Sequence, residues 1–224
     1  MTTLMLAMAT AFVLLVTCPG PARVAEAGDI RAFVTDQSNR PIEDAVVRAV
    51  AVSGTAAAPA KPGRDTVDQV NKEFVPYVKP IVVGSSVAFP NKDNIRHHVY
   101  SFSPAKTFEL PLYIGTPATP IVFERPGVVT IGCNIHDWMI GYIYVADTPY
   151  VGKTGRDGKI RLENLSPGRY VVLVWHPRLQ DAEEATRRAV TIDGPAAVDL
   201  AWRLTLKPEL RPRRAPIPGQ HGYR

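Results

Sequence analysis

Seven consecutive residues, Cys133-Asn134-Ile135-His136-Asp137-Trp138-Met139, set a thiolate, an imidazole and a thioether at an even three-residue spacing. A tight loop can aim all three at one point. Soft sulfur donors with imidazole suit copper, and two His with one Cys in a plane plus a long axial Met is a known one-electron copper arrangement. The second imidazole has to come from elsewhere in the fold. The stretch Asn91-Lys92-Asp93-Asn94-Ile95-Arg96-His97-His98-Val99-Tyr100 offers two, roughly 35 residues before the Cys. Adjacent residues of a regular strand point to opposite faces, so either His97 or His98 enters the site, and not both. Zinc fits less well, because its structural sites close with four Cys/His ligands and a thioether is a poor donor to it. The plainest competing account is a buried, inert cysteine with two incidental histidines.

The cysteine count bears on this through compartment. The chain has 224 residues and two cysteines, too few for a disulfide scaffold. Leu4 to Val16 is an apolar run of 13 residues, short for a bilayer span and right for the core of a secretory signal. Ala25-Glu26-Ala27 fits a small-x-small cleavage site, so the expected signal peptide is residues 1–27 and the mature chain starts at Gly28. A lipoprotein acylated at Cys18 or an uncleaved anchor is the weaker alternative, and Thr17 is larger than lipoprotein sites usually want. Cleavage would leave Cys133 as the lone thiol of an exported, periplasmic protein with no integral membrane span. Such a thiol is free and reactive, paired with another chain, or capped by a metal.

The elements that position these residues read as strands. Ala32-Phe33-Val34, Ala45-Val46-Val47, Ile81-Val82-Val83, Ile121-Val122-Phe123, Val128-Val129-Thr130-Ile131, Tyr142-Ile143-Tyr144-Val145 and Tyr170-Val171-Val172-Leu173-Val174 are short β-branched or aromatic runs punctuated by Gly, Pro, Asn and Asp. Only Gln180 to Arg188 looks helical, so the expected fold class is all-β. Residues 53–64 are Ala/Pro/Gly-rich and read as a linker, and residues 207–224 read as a disordered basic tail. The formal charge of +5 sits largely in that tail, with five Lys/Arg against one acid, whereas residues 65–146 hold six against seven. This argues against nucleic acid as a partner and leaves at most a basic arm for an acidic partner or a lipid surface.

Asn91 to Val99 and the loop after Gly132 together resemble the cupredoxins, in particular the plastocyanin and amicyanin group. A strand ending in Asn, a short turn and then His matches that family's upstream ligand, which puts His97 at the ligand position. A bulge would instead bring in His98. The Cys-x-x-His-x-x-Met spacing is most similar to amicyanin. Gly127-Val128-Val129-Thr130-Ile131-Gly132 resembles the strand entering the family's Cys, and Ile140-Gly141-Tyr142-Ile143-Tyr144-Val145 the strand leaving the Met. The resemblance covers about residues 65–146 and implies a Greek-key cupredoxin β-sandwich holding one copper ion, Cu(I)/Cu(II). Its metal ligands would be His97 (or His98), Cys133, His136 and Met139. It further implies that His136 is the electron port, with Trp138 beside it as a partner contact or as simple core.

Gly158 to Tyr170, two strands joined by a Pro-Gly turn, look like the latter half of a carboxypeptidase regulatory-like, or transthyretin-like, sandwich, and Ile30 to Ala51 resemble its start. The expected organisation is therefore residues 28–52 and 147–206 as one sandwich with the copper module, 65–146, inserted, two tandem domains being the alternative. The combination resembles periplasmic proteins labelled methylamine utilisation protein, a label that does not establish the pathway. His176 reads as a strand-end structural residue. No carboxylate pair or second metal cluster points to catalysis, so the expected function is an electron carrier and not an enzyme. Its partners would be redox proteins such as a c-type cytochrome or a dehydrogenase. The alternative is a copper-binding carrier or cell-envelope interaction protein without electron transfer.

Overall fold

The structure, a computed structural model, describes residues 26–52, 55, 59–117 and 119–209. The expected leader up to residue 25, residues 53–54 and 56–58 of the expected linker, and the expected tail beyond residue 209 lie outside the described residues.

Chain order begins with β1 (Gly28–Asp36) and β2 (Val46–Ala51). Ten strands follow: β3 (Arg64–Thr66), β4 (Asp68–Val70), β5 (Glu73–Val75), β6 (Val78–Val82), β7 (Ser86–Ala88), β8 (His97–Ser103), β9 (Lys106–Tyr113), β10 (Ile121–Val122), β11 (Gly127–Gly132) and β12 (Ile140–Ala146). The last five are β13 (Val151–Lys153), β14 (Lys159–Leu165), β15 (Gly168–Trp175), β16 (Arg188–Ile192) and β17 (Val198–Leu204). The fold is all-β among the described residues, apart from one 3-10 turn, Glu183–Thr186. The helix expected over Gln180 to Arg188 shrinks to that turn because the Thr186 hydroxyl turns back onto the Glu183 carbonyl and Arg188 already pairs in β16.

Strand pairing separates the chain into two sets. Sheets β14-β1-β17 and β13-β2-β15-β16 combine the first two strands with the last five, and enclose a core that includes Ile30, Val34, Val47, Tyr170, Val172 and Trp202. Sheets β6-β12-β11-β8-β9 and β10-β7-β3 use only the strands in between, around Phe89, Val99, Phe123, Val129, Ile131 and Ile143. Alternation explains the burial: in β12, Ile143 and Val145 face the second core, while Tyr142, Tyr144 and Ala146 face outward. The Ser166-Pro167-Gly168 turn does not close a hairpin, since β14 and β15 lie in different sheets.

The outward side of β12 is where the two sets meet. Tyr142 and Tyr144 pack on Trp175 at ring distances of 5.8 and 5.4 Å. The Tyr144 hydroxyl donates to Glu183 Oε1 at 2.6 Å, and Arg48 Nε donates to the same carboxylate oxygen at 2.8 Å. Tyr144 is buried, and a hydrogen bond to a charged group is worth about 1.5–3 kcal/mol. Tyr144→Phe is therefore expected to lower unfolding stability by about that amount in denaturant titration while leaving the far-ultraviolet spectrum unchanged.

Candidate metal centre

β11 and β12 form a hairpin whose last cross-strand pair is Gly132 with Ile140, so Cys133 to Met139 is its loop. The loop is closed by its own backbone: Cys133 N–H donates to the Met139 carbonyl at 3.2 Å, and Met139 N–H to the His136 carbonyl at 2.9 Å. β8 runs antiparallel to β11 with Tyr100 opposite Gly132, which brings the start of β8 beside the root of the loop. Gly132 is suited to that crossing, since a Cβ there would lie 3.0 Å from the Tyr100 ring.

The pairing of β8 with β9 shifts register between His97 and Val99, with His97 opposite Tyr113 but Val99 opposite Leu110. The extra residue lies on β9, around Pro111, which has no N–H to donate to a ladder. β8 therefore keeps its alternation. His97, Val99 and Ser101 face the core at 0–1% exposure, and His98, Tyr100 and Phe102 face the other way. On that other face His98 Nε2 bonds Glu109 Oε1 at 2.8 Å and its ring packs on Tyr100.

Three donor atoms converge. Cys133 Sγ is 3.9 Å from His97 Nδ1 and 3.7 Å from His136 Nδ1, and all three lie within 4.8 Å of one another. Metal–donor bonds of about 2.0–2.3 Å spread about 120° apart would set neighbouring nitrogen and sulfur roughly 3.7 Å from each other. The residues thus fit a single ion that would be held by two nitrogens and one sulfur. Cys133 and His97 are buried and His136 is half-buried. Burial pushes the His136 imidazole below its ordinary pKa, His97 and Lys72 add to this, and Asp93 opposes it. A lowered value keeps the ring neutral and its lone pair available at neutral pH. Met139, 2% exposed, packs in the same apolar cluster as Cys133.

Trp138 is half-buried, with its ring 5.2 Å from that of His136. Its Nε1–H is buried with no partner among the described residues. Ile135, beside His136, is 48% exposed. His176 is remote in strand pairing from this cluster, following β15. Its Nδ1 accepts the Arg178 N–H at 3.1 Å, and burial pushes its pKa down to about 4.

Two further groups support the site: Asp93, which was not singled out from sequence, and Asn91, the Asn that ends the strand before the turn. Asp93 Oδ2 bonds His97 Nε2 at 2.8 Å, the ring nitrogen that faces away from the sulfur. Burial alone would raise the Asp93 pKa, but the Lys72 N–H, His97 and the Asn71 N–H outweigh it and hold it low. Asn91 organises the segment before β8, with Nδ2 donating to the Ile95 and Tyr113 carbonyls, both at 2.8 Å. The signal that could have found Asp93 is a carboxylate four residues before a candidate ligand, inside a loop.

Three comparisons with known proteins bear on the chain. No family model matches it, and no curated protein matches it. Among solved structures, a purple cupredoxin from Nitrosopumilus maritimus is 25% identical, with 36% of this chain and 96% of that chain covered, at a TM-score of 0.32. A copper-containing nitrite reductase from Thermus scotoductus SA-01 is 27% identical over 51% of this chain and 28% of that chain, at a TM-score of 0.35. An oxidised amicyanin mutant is 16% identical over 46% of this chain and all of that chain, at a TM-score of 0.33. These overlaps cover only part of this chain and their TM-scores are low.

Cys133 is 4% exposed, so access to its sulfur depends on opening of the loop. In metal-free protein a disulfide reagent is expected to modify Cys133 roughly tenfold or more slowly in buffer than in denaturant, followed by thiol release.

Proposed function

We propose that this protein is an exported type 1 copper protein that carries single electrons between redox partners. The observation that carries the reading is the convergence of His97 Nδ1, Cys133 Sγ and His136 Nδ1 at spacings of 3.9 and 3.7 Å about the sulfur. Copper bound by these atoms supplies a one-electron couple and is matched by their mix of soft sulfur and imidazole. Met139, on the same loop and buried, would supply a weak thioether donor to that ion. Zinc is the poorer match because a three-donor set with a thioether does not close its usual four-ligand shell.

The protein's own residues do the rest. The loop backbone bonds hold Cys133, His136 and Met139 in one geometry, so little rearrangement accompanies a change of charge at their centre. Ile131, Ile143 and Val129 pack behind the sulfur and exclude water, which shields the site and tunes its potential. His136 is the half-exposed member and the port toward a partner, with Trp138 against its ring and Ile135 presenting apolar surface beside it. The partner is a redox protein such as a c-type cytochrome or a dehydrogenase. Residues 65–146 form the copper module, inserted between residues 28–52 and 147–206, which build a regulatory-like sandwich that frames it. No helix among the described residues is long and apolar enough to cross a membrane.

Adding Cu(II) to the protein is expected to produce an intense visible thiolate-to-copper charge-transfer band. Cys133→Ser and His97→Gln are expected to abolish it, His98→Gln to retain it, and Met139→Leu to retain colour with a shifted band and a raised reduction potential. Absorption spectroscopy with voltammetry reads all four. A protein that stays colourless and binds copper only as Cu(I) would overturn the electron-carrier reading in favour of a copper-binding carrier.

A further inference from the structure

We propose that Asp93, gripped by the turn between β4 and β5, is the positioning group of the metal centre. Its carboxylate sets which nitrogen His97 presents and stabilises the oxidised state of copper bound there. This rests on the copper reading above.

His97 is fully buried, and its Nε2 lies 2.8 Å from Asp93 Oδ2. An ionised carboxylate only accepts hydrogen bonds, so Nε2 must carry the ring proton. The lone pair is then on Nδ1, the nitrogen that faces Cys133 Sγ at 3.9 Å. Without that acceptor a buried neutral imidazole is free to protonate Nδ1 and to turn a donor, not a ligand, toward the site.

The carboxylate is itself held from the opposite side. Asn71 N–H donates to Asp93 Oδ1 at 2.7 Å and Lys72 N–H donates to Oδ2 at 2.8 Å, while Asp93 N–H donates to Asn91 Oδ1 at 3.0 Å. Asn71 and Lys72 are the two central residues of the β4–β5 hairpin, in which Val70 pairs with Glu73. Both have left-handed backbones, with φ of 54° and 61°. Two successive positive φ values are what a two-residue hairpin turn requires, and Asn tolerates the region well. Lys has no such preference, so its conformation is sustained by what the turn does: it points two consecutive N–H groups at one carboxylate.

The consequence is electrostatic. Asp93 has a side chain only 13% exposed and sits one hydrogen bond from a ligand. A buried negative charge at that range favours the more positive, oxidised metal and lowers the reduction potential. His98 offers an internal contrast, because its carboxylate partner Glu109, on β9, is 68% exposed.

The test uses the full chain loaded with copper. Asp93→Asn keeps the size of the side chain and removes its charge. The visible band is expected to persist while the Cu(I)/Cu(II) equilibrium moves at least tenfold toward Cu(I), about 59 mV upward for a one-electron couple. Glu109→Gln removes one charge beside the other histidine and is expected to move the potential far less. If Asp93→Asn shifts the potential no more than Glu109→Gln does, the inference is overturned while the copper reading stands. A wild-type protein with no band would overturn the copper reading itself. Should Asp93→Asn fail to take up copper, Asp93→Glu decides: restored loading supports the role, and loss in both with native far-ultraviolet spectra overturns the charge-setting part. Nitrogen NMR of metal-free protein gives a readout independent of loading. His97 is expected to be protonated at Nε2 in the wild type and to become a tautomer mixture in Asp93→Ala; an unchanged tautomer would overturn the positioning role.

Discussion

The His97–Cys133–His136 cluster depends on β8 keeping its two-residue alternation while its neighbour β9 does not. The register slip between these strands is absorbed entirely by β9, near Pro111, so His97 shares a face with Val99 and Ser101. Had the extra residue fallen in β8, His98 would have turned inward and His97 outward, and the contacts of His97 with Cys133 and Asp93 would have been lost. Proline makes the division physically reasonable. A residue without an N–H loses nothing by sitting where the ladder is interrupted.

Two backbone devices then converge on this inward face. The β11–β12 loop brings Cys133, His136 and Met139 from one side, and the β4–β5 turn brings two N–H groups from the other by way of Asp93. Neither works alone: the loop needs an imidazole opposite its sulfur, and that imidazole needs a fixed proton to present its lone pair. β12 extends the same economy beyond the site. Leaving the loop at Ile140, it buries Ile143 and Val145 in the core behind the sulfur and lays Tyr142 and Tyr144 against Trp175 of the other strand set. The metal loop is thus anchored to both halves of the molecule through one strand.

Much of this is legible in the residues. The β-branched runs foretell an all-β chain because burying alternate branched side chains is a local property. The Cys-x-x-His-x-x-Met segment stands out as a candidate metal loop because its thiol, imidazole and thioether are close in sequence, and closing a short loop is inexpensive. What escapes is what depends on register. Asp93 looks like one more surface carboxylate until the β4–β5 turn is placed beside it. The short helix expected over Gln180 to Arg188 fails for a related reason: its last residue, Arg188, is claimed by pairing with β15, a partner that local propensity cannot weigh.

Sequence by itself therefore determined the fold class and singled out Cys133, His136 and Met139 as the proposed donors of one loop, because each is carried by nearby residues. Tertiary structure alone turned His97 and not His98 toward the Cys133 sulfur, brought Asp93 and the Asn71–Lys72 turn to the far side of the ring, and joined the first two strands to the last five. Those outcomes hinge on which strand absorbs an extra residue and which strands pair across long stretches of chain. Such choices follow from the packing of whole sheets, and no single segment contains them.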